Sequence, residues 1–278
     1  MESKQAYLDV ASRAALQAGE VITAAFSEQK AVEFKGKVDL VTETDKQCEK
    51  LILTALRQAF PSHHFIGEEG SAAQGFTAEL TDEPTWLVDP VDGTTNFVHR
   101  WPFVCVSIGL AIKKELTVGV VYNPVMNEMY TAVRGTGAFL NSKPISVSQT
   151  AQLGASLVAT EIGTTRDSET VAAIFDRISA VTAQVRSIRC NGSCALNLCS
   201  VASGRLDGFY EIGFGGPWDV AAAALIVQEA GGHILDPNGS PFHVMARRVL
   251  AANPRIASSL AGILAKCKVS QAEPGPLT

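Results

Sequence analysis

Apolar residues recur along this chain with two different periods. Between residues 44 and 59 the period is helical: Cys48, Leu51, Ile52, Ala55, Leu56 and Ala59 share one face, and Pro61 stops the run. Similar patterning predicts helices over about 5–27, 167–182, 193–203, 218–230 and 254–267. Continuous apolar runs at 104–112 and 116–122 predict an antiparallel strand pair across Lys113-Lys114-Glu115. Further strands are expected at 129–133, 156–160, 185–188 and 207–211. Gly135-Thr136-Gly137-Ala138-Phe139-Leu140 carries only the start of a GxGxxG pattern and is read as a turn. Strands in runs with helices between them suggest one domain of two stacked α/β halves, roughly 1–150 and 151–267. The tail at 268–278, with Pro274, Gly275 and Pro276, reads as frayed.

Composition narrows the class. At 278 residues and 46% hydrophobic, the chain can bury a large core without disulfides. Its net charge of −5 speaks against a nucleic-acid partner, which would want a basic patch. No apolar stretch approaches the roughly 20 residues of a membrane span, and the N-terminus lacks signal-peptide character, so a cytoplasmic protein is expected. The six cysteines form no CxxC pair and read as reduced, mostly buried small hydrophobes. Cys199 and Arg205 fit the Cys-x5-Arg frame of cysteine phosphatases, but an apolar helical stripe (Cys194, Leu198, Val201, Ala202) occupies the place of a phosphate-wrapping glycine loop. Nucleophilic chemistry is not expected there.

Candidate chemistry lies in Trp86-Leu87-Val88-Asp89-Pro90-Val91-Asp92-Gly93-Thr94-Thr95-Asn96. Two carboxylates sit at the end of an apolar strand, and a Gly-Thr-Thr segment follows at once. Hard oxygen ligands beside backbone donors suit Mg²⁺ bridged to a phosphate, although a turn with two solvated aspartates has the same pattern. Phe65-Ile66-Gly67-Glu68-Glu69 again ends a short strand in carboxylates, and Asp219 opens an apolar helix after Gly215-Gly216-Pro217-Trp218. Three acidic segments at element ends favour a metal site. Adjacent or isolated, the five histidines show no paired-ligand spacing. Trp86 and Trp101 read as core or dimer-surface aromatics.

With Val38-Asp39-Leu40-Val41-Thr42-Glu43-Thr44-Asp45 added, these segments resemble the inositol monophosphatase family over about residues 8–263. The wording from Phe209 to Asp219 is similar to its plant-type branch, associated with myo-inositol monophosphates and L-galactose 1-phosphate. The resemblance implies a layered αβαβα sandwich, a homodimer and lithium sensitivity. It also implies two Mg²⁺ ions that activate water and stabilise the leaving oxygen. Glu68, Asp89 and the Val91 carbonyl would hold the first ion; Asp89, Asp92 and Asp219 the second; Glu68 would also serve a weaker third. Asp45, Thr94 and Glu68 would be catalytic, with Thr94 and Asp45 orienting or deprotonating the water. Asp45 also suits the first turn of its helix as a simple charge. Gly93 and Thr94, with Thr95 beside them, would offer N–H groups to the phosphate. Glu211, Gly192, Ser193 and Cys194, bordered by Asp219, would meet the polyol. Glu69 divides evenly between orienting a ligand and lying on the surface; Lys35 and Lys37 receive no role. Phe214-Gly215-Gly216-Pro217 departs from the loop of animal members, which leaves the sugar least defined.

Three other readings compete. A haloacid-dehalogenase phosphatase needs Asp-x-Asp, whereas Asp89 and Asp92 are separated by two residues. A non-catalytic regulatory protein on the same fold predicts lost ligands, and none is lost. A histidinol phosphatase of the same fold would share the metal chemistry and differ in its pocket.

Overall fold

Why the chain forms layers follows from which helices are apolar on one side and which on all sides. The computed structural model describes residues 3–29, 31–34, 40–75 and 77–277, so Lys35, Lys37, Val38 and Asp39 lie outside the described residues. Helix α1 (Lys4–Phe26) is capped by the Ser3 hydroxyl, which accepts from Ala6 N at 3.2 Å. After a short hairpin, β1 (Val32–Phe34) and β2 (Leu40–Thr42), comes α2 (Glu43–Ala59). Both helices bury a single stripe. Ala11, Ala15 and Ile22 from α1 pack with Cys48, Ile52 and Leu56 from α2.

These helices cover one face of a seven-stranded sheet. Its strands run in chain order: β3 (His64–Gly67), β4 (Thr85–Asp92), β5 (Cys105–Ile112), β6 (Glu115–Asn123), β7 (Glu128–Val133), β8 (Ala138–Leu140) and β9 (Lys143–Ile145). Only β3 and β4 are parallel. Two short helices interrupt the chain at the ends of its first strands, α3 (Glu68–Gln74) after β3 and α4 (Thr94–His99) after β4. A second sheet has the order β11 (Ser187–Arg189), β10 (Leu157–Thr160), β12 (Gly208–Ile212), β14 (Arg248–Ala252), β13 (His233–Leu235). Helices α5 (Ser168–Thr182) and α8 (Ala257–Leu264) cover its outer face through Val181, Leu260 and Leu264.

Between the sheets lie α6 (Cys194–Ala202) and α7 (Pro217–Glu229). Every residue of α7 from Pro217 to Val227 is buried, which its apolar character on all sides requires. It also lies unusually close to the first sheet. A Cβ on Gly109 would stand 2.8 Å from Ala221 Cβ, and one on Gly119 would stand 2.4 Å from the Ala222 carbonyl oxygen. Small residues on both partners allow the helix backbone to rest on the strands. The layer order is therefore α1/α2, first sheet, α6/α7, second sheet, α5/α8, the αβαβα sandwich expected.

All six expected helices form within a few residues of the stated ranges, and β5 and β6 pair across Lys113 and Lys114, both at positive φ. Two expectations need correction. Gly135 and Gly137 do turn, at φ 86° and 91°, but residues 138–140 then pair with β7 as strand β8. The tail is not frayed through 268–274. The Glu273 side chain is buried and pairs with buried Arg177, Ser270 is buried against Thr170, and the Pro274 carbonyl accepts from Arg248 Nη1 at 3.0 Å.

Gly119→Ala should force α7 off β6 and destabilise the fold by about 1–3 kcal/mol, the range for overpacking a close contact. Urea unfolding measures this directly. Wild-type stability would mean that α7 is not seated on this glycine.

Candidate active site

In a regular strand, residues three apart face opposite sides. Asp89 and Asp92 escape that rule because β4 carries one extra residue here: Asp89 pairs with Ser107, yet Asp92 pairs with Cys105. Pro90, unable to donate to the ladder, lies within this bulge. Before it, Trp86 and Val88 face α1 and α2 while Leu87 faces the interior; after it, Val91 lies on the side of Trp86. Both aspartates consequently point inward, toward α6 and α7. Asp89 Oδ1 accepts from Val91 N at 2.9 Å, which closes the bulge locally.

Each carboxylate is then fixed by donors from another element. Asp92 Oδ2 accepts from Ser193 Oγ at 2.6 Å and Ala195 N at 2.7 Å, so it caps α6 from across the interior. Asp219, in the first turn of α7, accepts from Gly215 N at 2.9 Å. Glu68 opens α3, whose Glu69 N donates to Glu49 Oε1 at 2.9 Å. Gly67 is what admits that acid, since a Cβ there would lie 2.2 Å from Glu49 Oε1. Burial and the charges of Glu68, Asp92 and Asp219 push the Asp89 carboxyl well above its ordinary range. Asp219 is driven up by burial, then by Asp92, Glu68 and Glu211. Burial also raises Asp92, against the opposing donors from Ser193, Ala195 and Cys194.

Among the described residues, such a cluster lacks a counter-charge of its own. Among the described residues no Lys or Arg forms an ion pair with Asp89, Asp92 or Asp219. Nor do any three Asp, Glu, His or Cys side chains already close into a ligating set there. The donors are nonetheless all hard oxygens, and a buried, mutually repelling set of them fits a divalent cation of the Mg²⁺ class. Glu68, Asp89, Asp92 and Asp219, with the Val91 carbonyl, are the groups that would hold it.

Thr94 begins α4 directly behind Gly93, whose φ of 92° makes the turn. A Cβ on Gly93 would lie 2.9 Å from the Phe103 carbonyl oxygen. The Thr94 hydroxyl stands 3.0 Å from Asp45 Oδ1 and 3.1 Å from the Val91 carbonyl, able to donate to either. Asp45 is fully buried, and its other oxygen accepts from Thr42 N at 2.9 Å in a capping box. The helix-charge reading and the active-site placement of Asp45 thus coexist, one oxygen serving each.

The facing wall comes from the second sheet. Glu211, at the end of β12, is buried, and among the described residues its Oε2 has no hydrogen-bond partner. Burial first, and then the Glu161 charge, hold its carboxyl well above the usual range. The Cys194 thiol contacts Glu211. Gly192 and Ser193 are engaged inside the protein: Gly192 N donates to Glu161 Oε1 at 2.8 Å, and the Ser193 hydroxyl serves Asp92. They shape this wall chiefly by fixing carboxylates. Sequence reasoning missed Glu161, which gathers Asn191 N, Gly192 N and Asn197 Nδ2. It missed Glu49 as well, and Asn96, whose Nδ2 lies 2.8 Å from the carbonyls of Phe103 and Asn191. Glu161 follows β10 just as Glu68 follows β3, so the same strand-end signal marks both.

Other candidates resolve simply. Cys199 is buried in α6 with its thiol pushed well up by burial, and Arg205 is occupied by Glu128 and Tyr130. His63 accepts from Trp86 Nε1 at 3.0 Å within the α1/α2 core, while Trp101 is 59% exposed.

The sequence profile of the inositol monophosphatase family matches residues 3–269. The chain belongs to the inositol monophosphatase family. It is 63% identical over 250 residues to inositol monophosphatase 2 of Solanum lycopersicum, covering 90% of this chain and 94% of that one. Identity to inositol monophosphatase 1 of Homo sapiens is 48% over 254 residues, covering 91% of each. Extragenic suppressor protein suhB from Bartonella henselae shares the fold with a TM-score of 0.85 at 35% identity, over 94% of this chain and 99% of that one. For the inositol monophosphatase from Anabaena the TM-score is 0.82 at 34% identity, over 96% and 98%. Membership makes the chain a phosphatase of a metal-dependent family.

The raised carboxyls give this family member a defined pH response. Below the unfolded pKa, about 4, both states are protonated and the cluster costs nothing. As pH rises from there toward the higher folded values of Asp89, Asp92 and Asp219, the folded state retains protons that the unfolded state has released, and stability falls until the folded carboxyls ionise as well. A millimolar divalent cation should therefore raise the melting temperature more at about pH 8 than at about pH 5. Equal shifts at the two pH values would place the bound cation elsewhere.

Proposed function

We propose that this protein hydrolyses the phosphate monoester of a polyol, myo-inositol 1-phosphate foremost, with L-galactose 1-phosphate as a second substrate and Mg²⁺ as its cation. One observation carries the reading: the buried carboxylates Asp89, Asp92 and Asp219 lie together, with Asp92 and Asp219 close to Glu211, whose Oε2 is unpartnered among the described residues, and a Thr94–Asp45 hydroxyl–carboxylate pair follows Asp92 in the chain. Family membership and the identities to inositol monophosphatases support it.

Glu68, Asp89, Asp92, Asp219 and the Val91 carbonyl are the residues for two Mg²⁺ ions, with Glu68 serving a third. When bound, these ions supply acidification of the attacking water and stabilisation of the leaving oxygen. The chain's own groups do the rest. The first-turn N–H groups of α4, from Gly93 onward, have no intrahelical acceptor and are offered to the phosphate. Thr94 Oγ1 receives a proton from the attacking water as its own passes to Asp45 Oδ1. The water oxygen bonds to phosphorus, the bond to the polyol oxygen breaks, the departing oxygen takes a proton from solvent water, and Asp45 returns its proton to solvent as inorganic phosphate and the free polyol leave. Glu211 Oε2 meets a ring hydroxyl, while Glu161 keeps the Gly192–Cys194 wall in place. Two adjacent acids disfavour a second phosphate on the substrate.

Lithium inhibition and a homodimer belong to the same reading. The exposed Trp101 after α4 supplies an apolar face for a second copy, and cytoplasmic residence is expected.

Thr94→Val tests the proton path more cleanly than a change at Asp92, because Asp92 also caps α6. It keeps the side-chain shape and should lower kcat by about 10²–10⁴-fold, the usual contribution of a positioned base, with a much smaller change in KM. Near-wild-type kcat would remove Thr94 from the chemistry.

The substrate is tested by comparing kcat/KM for myo-inositol 1-phosphate, L-galactose 1-phosphate, fructose 1,6-bisphosphate, 3′-phosphoadenosine 5′-phosphate and histidinol phosphate at fixed Mg²⁺. The first two should lead. Preference for histidinol phosphate or a bisphosphorylated compound would overturn the polyol assignment while leaving the hydrolytic site standing.

A further inference from the structure

The loop from Glu211 to Asp219 joins the polyol wall to the metal-side carboxylates, and three of its residues are glycine: Gly213, Gly215 and Gly216. Such a loop has little conformational preference of its own. Its glycines are nevertheless needed. Gly213 sits at φ 89°, and a Cβ on Gly216 would lie 2.5 Å from the Trp218 ring. What fixes the loop must come from outside it.

Arg247 is that outside contact. Its carbonyl accepts from Gly213 N at 2.9 Å, Nε donates to the Phe214 carbonyl at 2.5 Å, and Nη2 donates to the Gly213 carbonyl at 3.3 Å. The residue is exposed, and its backbone is held at φ 56°, a left-handed conformation unfavourable for a residue that carries a Cβ. An exposed residue in such a conformation, making three bonds to one loop, contributes little to the core.

The strain is maintained from behind. Arg248 pairs in register with Ile212, holds Asp236 through bonds of 2.7 and 3.0 Å, and donates to the Pro274 carbonyl. Pro274 follows Glu273, which is anchored on Arg177 and accepts from Ser270 N at 3.0 Å. Pro274 Cδ also comes within 3.9 Å of where a Cβ on Gly213 would stand. The C-terminal segment thus braces the turn that clamps the loop.

We propose that Arg247 is a positioning residue for polyol recognition, and that residues 270–274 act as a strap holding it in register. It sets where Glu211 and the loop stand relative to Asp219 without touching the reacting atoms. This rests on the phosphatase reading above and deepens it, because it assigns control of the leaving-group wall to a residue behind that wall.

The test compares Arg247→Ala, Arg247→Lys and Glu273→Gln with wild type, using myo-inositol 1-phosphate and phenyl phosphate, which has no ring hydroxyls. Arg247→Ala should raise KM for the inositol substrate and lower its kcat/KM relative to phenyl phosphate by about tenfold, consistent with small misplacements at a positioned site. Arg247→Lys, keeping one donor, should recover part of the ratio, and Glu273→Gln should shift it in the same direction. Hydrogen exchange at Phe214–Gly216 should quicken in Arg247→Ala while the melting temperature moves little. An unchanged substrate ratio, equal losses on both substrates, or unchanged loop exchange would each overturn the proposal. Should wild type favour another polyol phosphate, that compound replaces the inositol ester in the ratio, so the substrate reading and the positioning role fail separately.

Discussion

The contact on which the site depends is the seating of α7 against bare strand backbone at Gly109 and Gly119. Asp219 belongs to the first turn of α7, whereas Asp89 and Asp92 end β4, the neighbour of β5. Their mutual placement is therefore only as accurate as the helix-to-sheet distance. Ordinary side chains at the contact would hold the helix farther away and permit several packings. Alanines 221 to 224 against glycine leave one close approach, and a helix buried on every side cannot slide to find another.

That rigidity is needed because the site assembles like charges away from water. Placing Asp89, Asp92 and Asp219 together opposes folding until a cation neutralises them, and the core must supply the difference. Fixed donors limit the penalty by using part of each carboxylate: Val91 N on Asp89, Ser193 and Ala195 on Asp92, Gly215 N on Asp219. The same bonds orient the remaining oxygens before any ligand arrives, so little reorganisation is left for the reaction itself.

Much of this was legible in the sequence because it lies in local pattern. Helical periodicity gave the six longer helices, and carboxylates at element ends marked the site. The short outer strands, such as β8, β9 and β13, carry too few alternating positions to stand out. The reason Asp89 and Asp92 agree in direction was hidden, since their spacing alone puts them on opposite faces and only the bulge at Pro90 and Val91 reconciles them. The tail failed for another reason. Pro274, Gly275 and Pro276 resemble a frayed end, but the partner that anchors Glu273 is Arg177, 96 residues earlier. No window of sequence contains that ion pair.

The two ends of the site are consequently built from different materials. On the metal side, strands and a buried helix are locked by core packing, so a substitution that moves them endangers the fold. On the polyol side, a glycine-rich loop takes its shape from an exposed arginine and a C-terminal strap, neither of which supports the central core. Variation there can alter which hydroxyls are met while the carboxylates keep their positions.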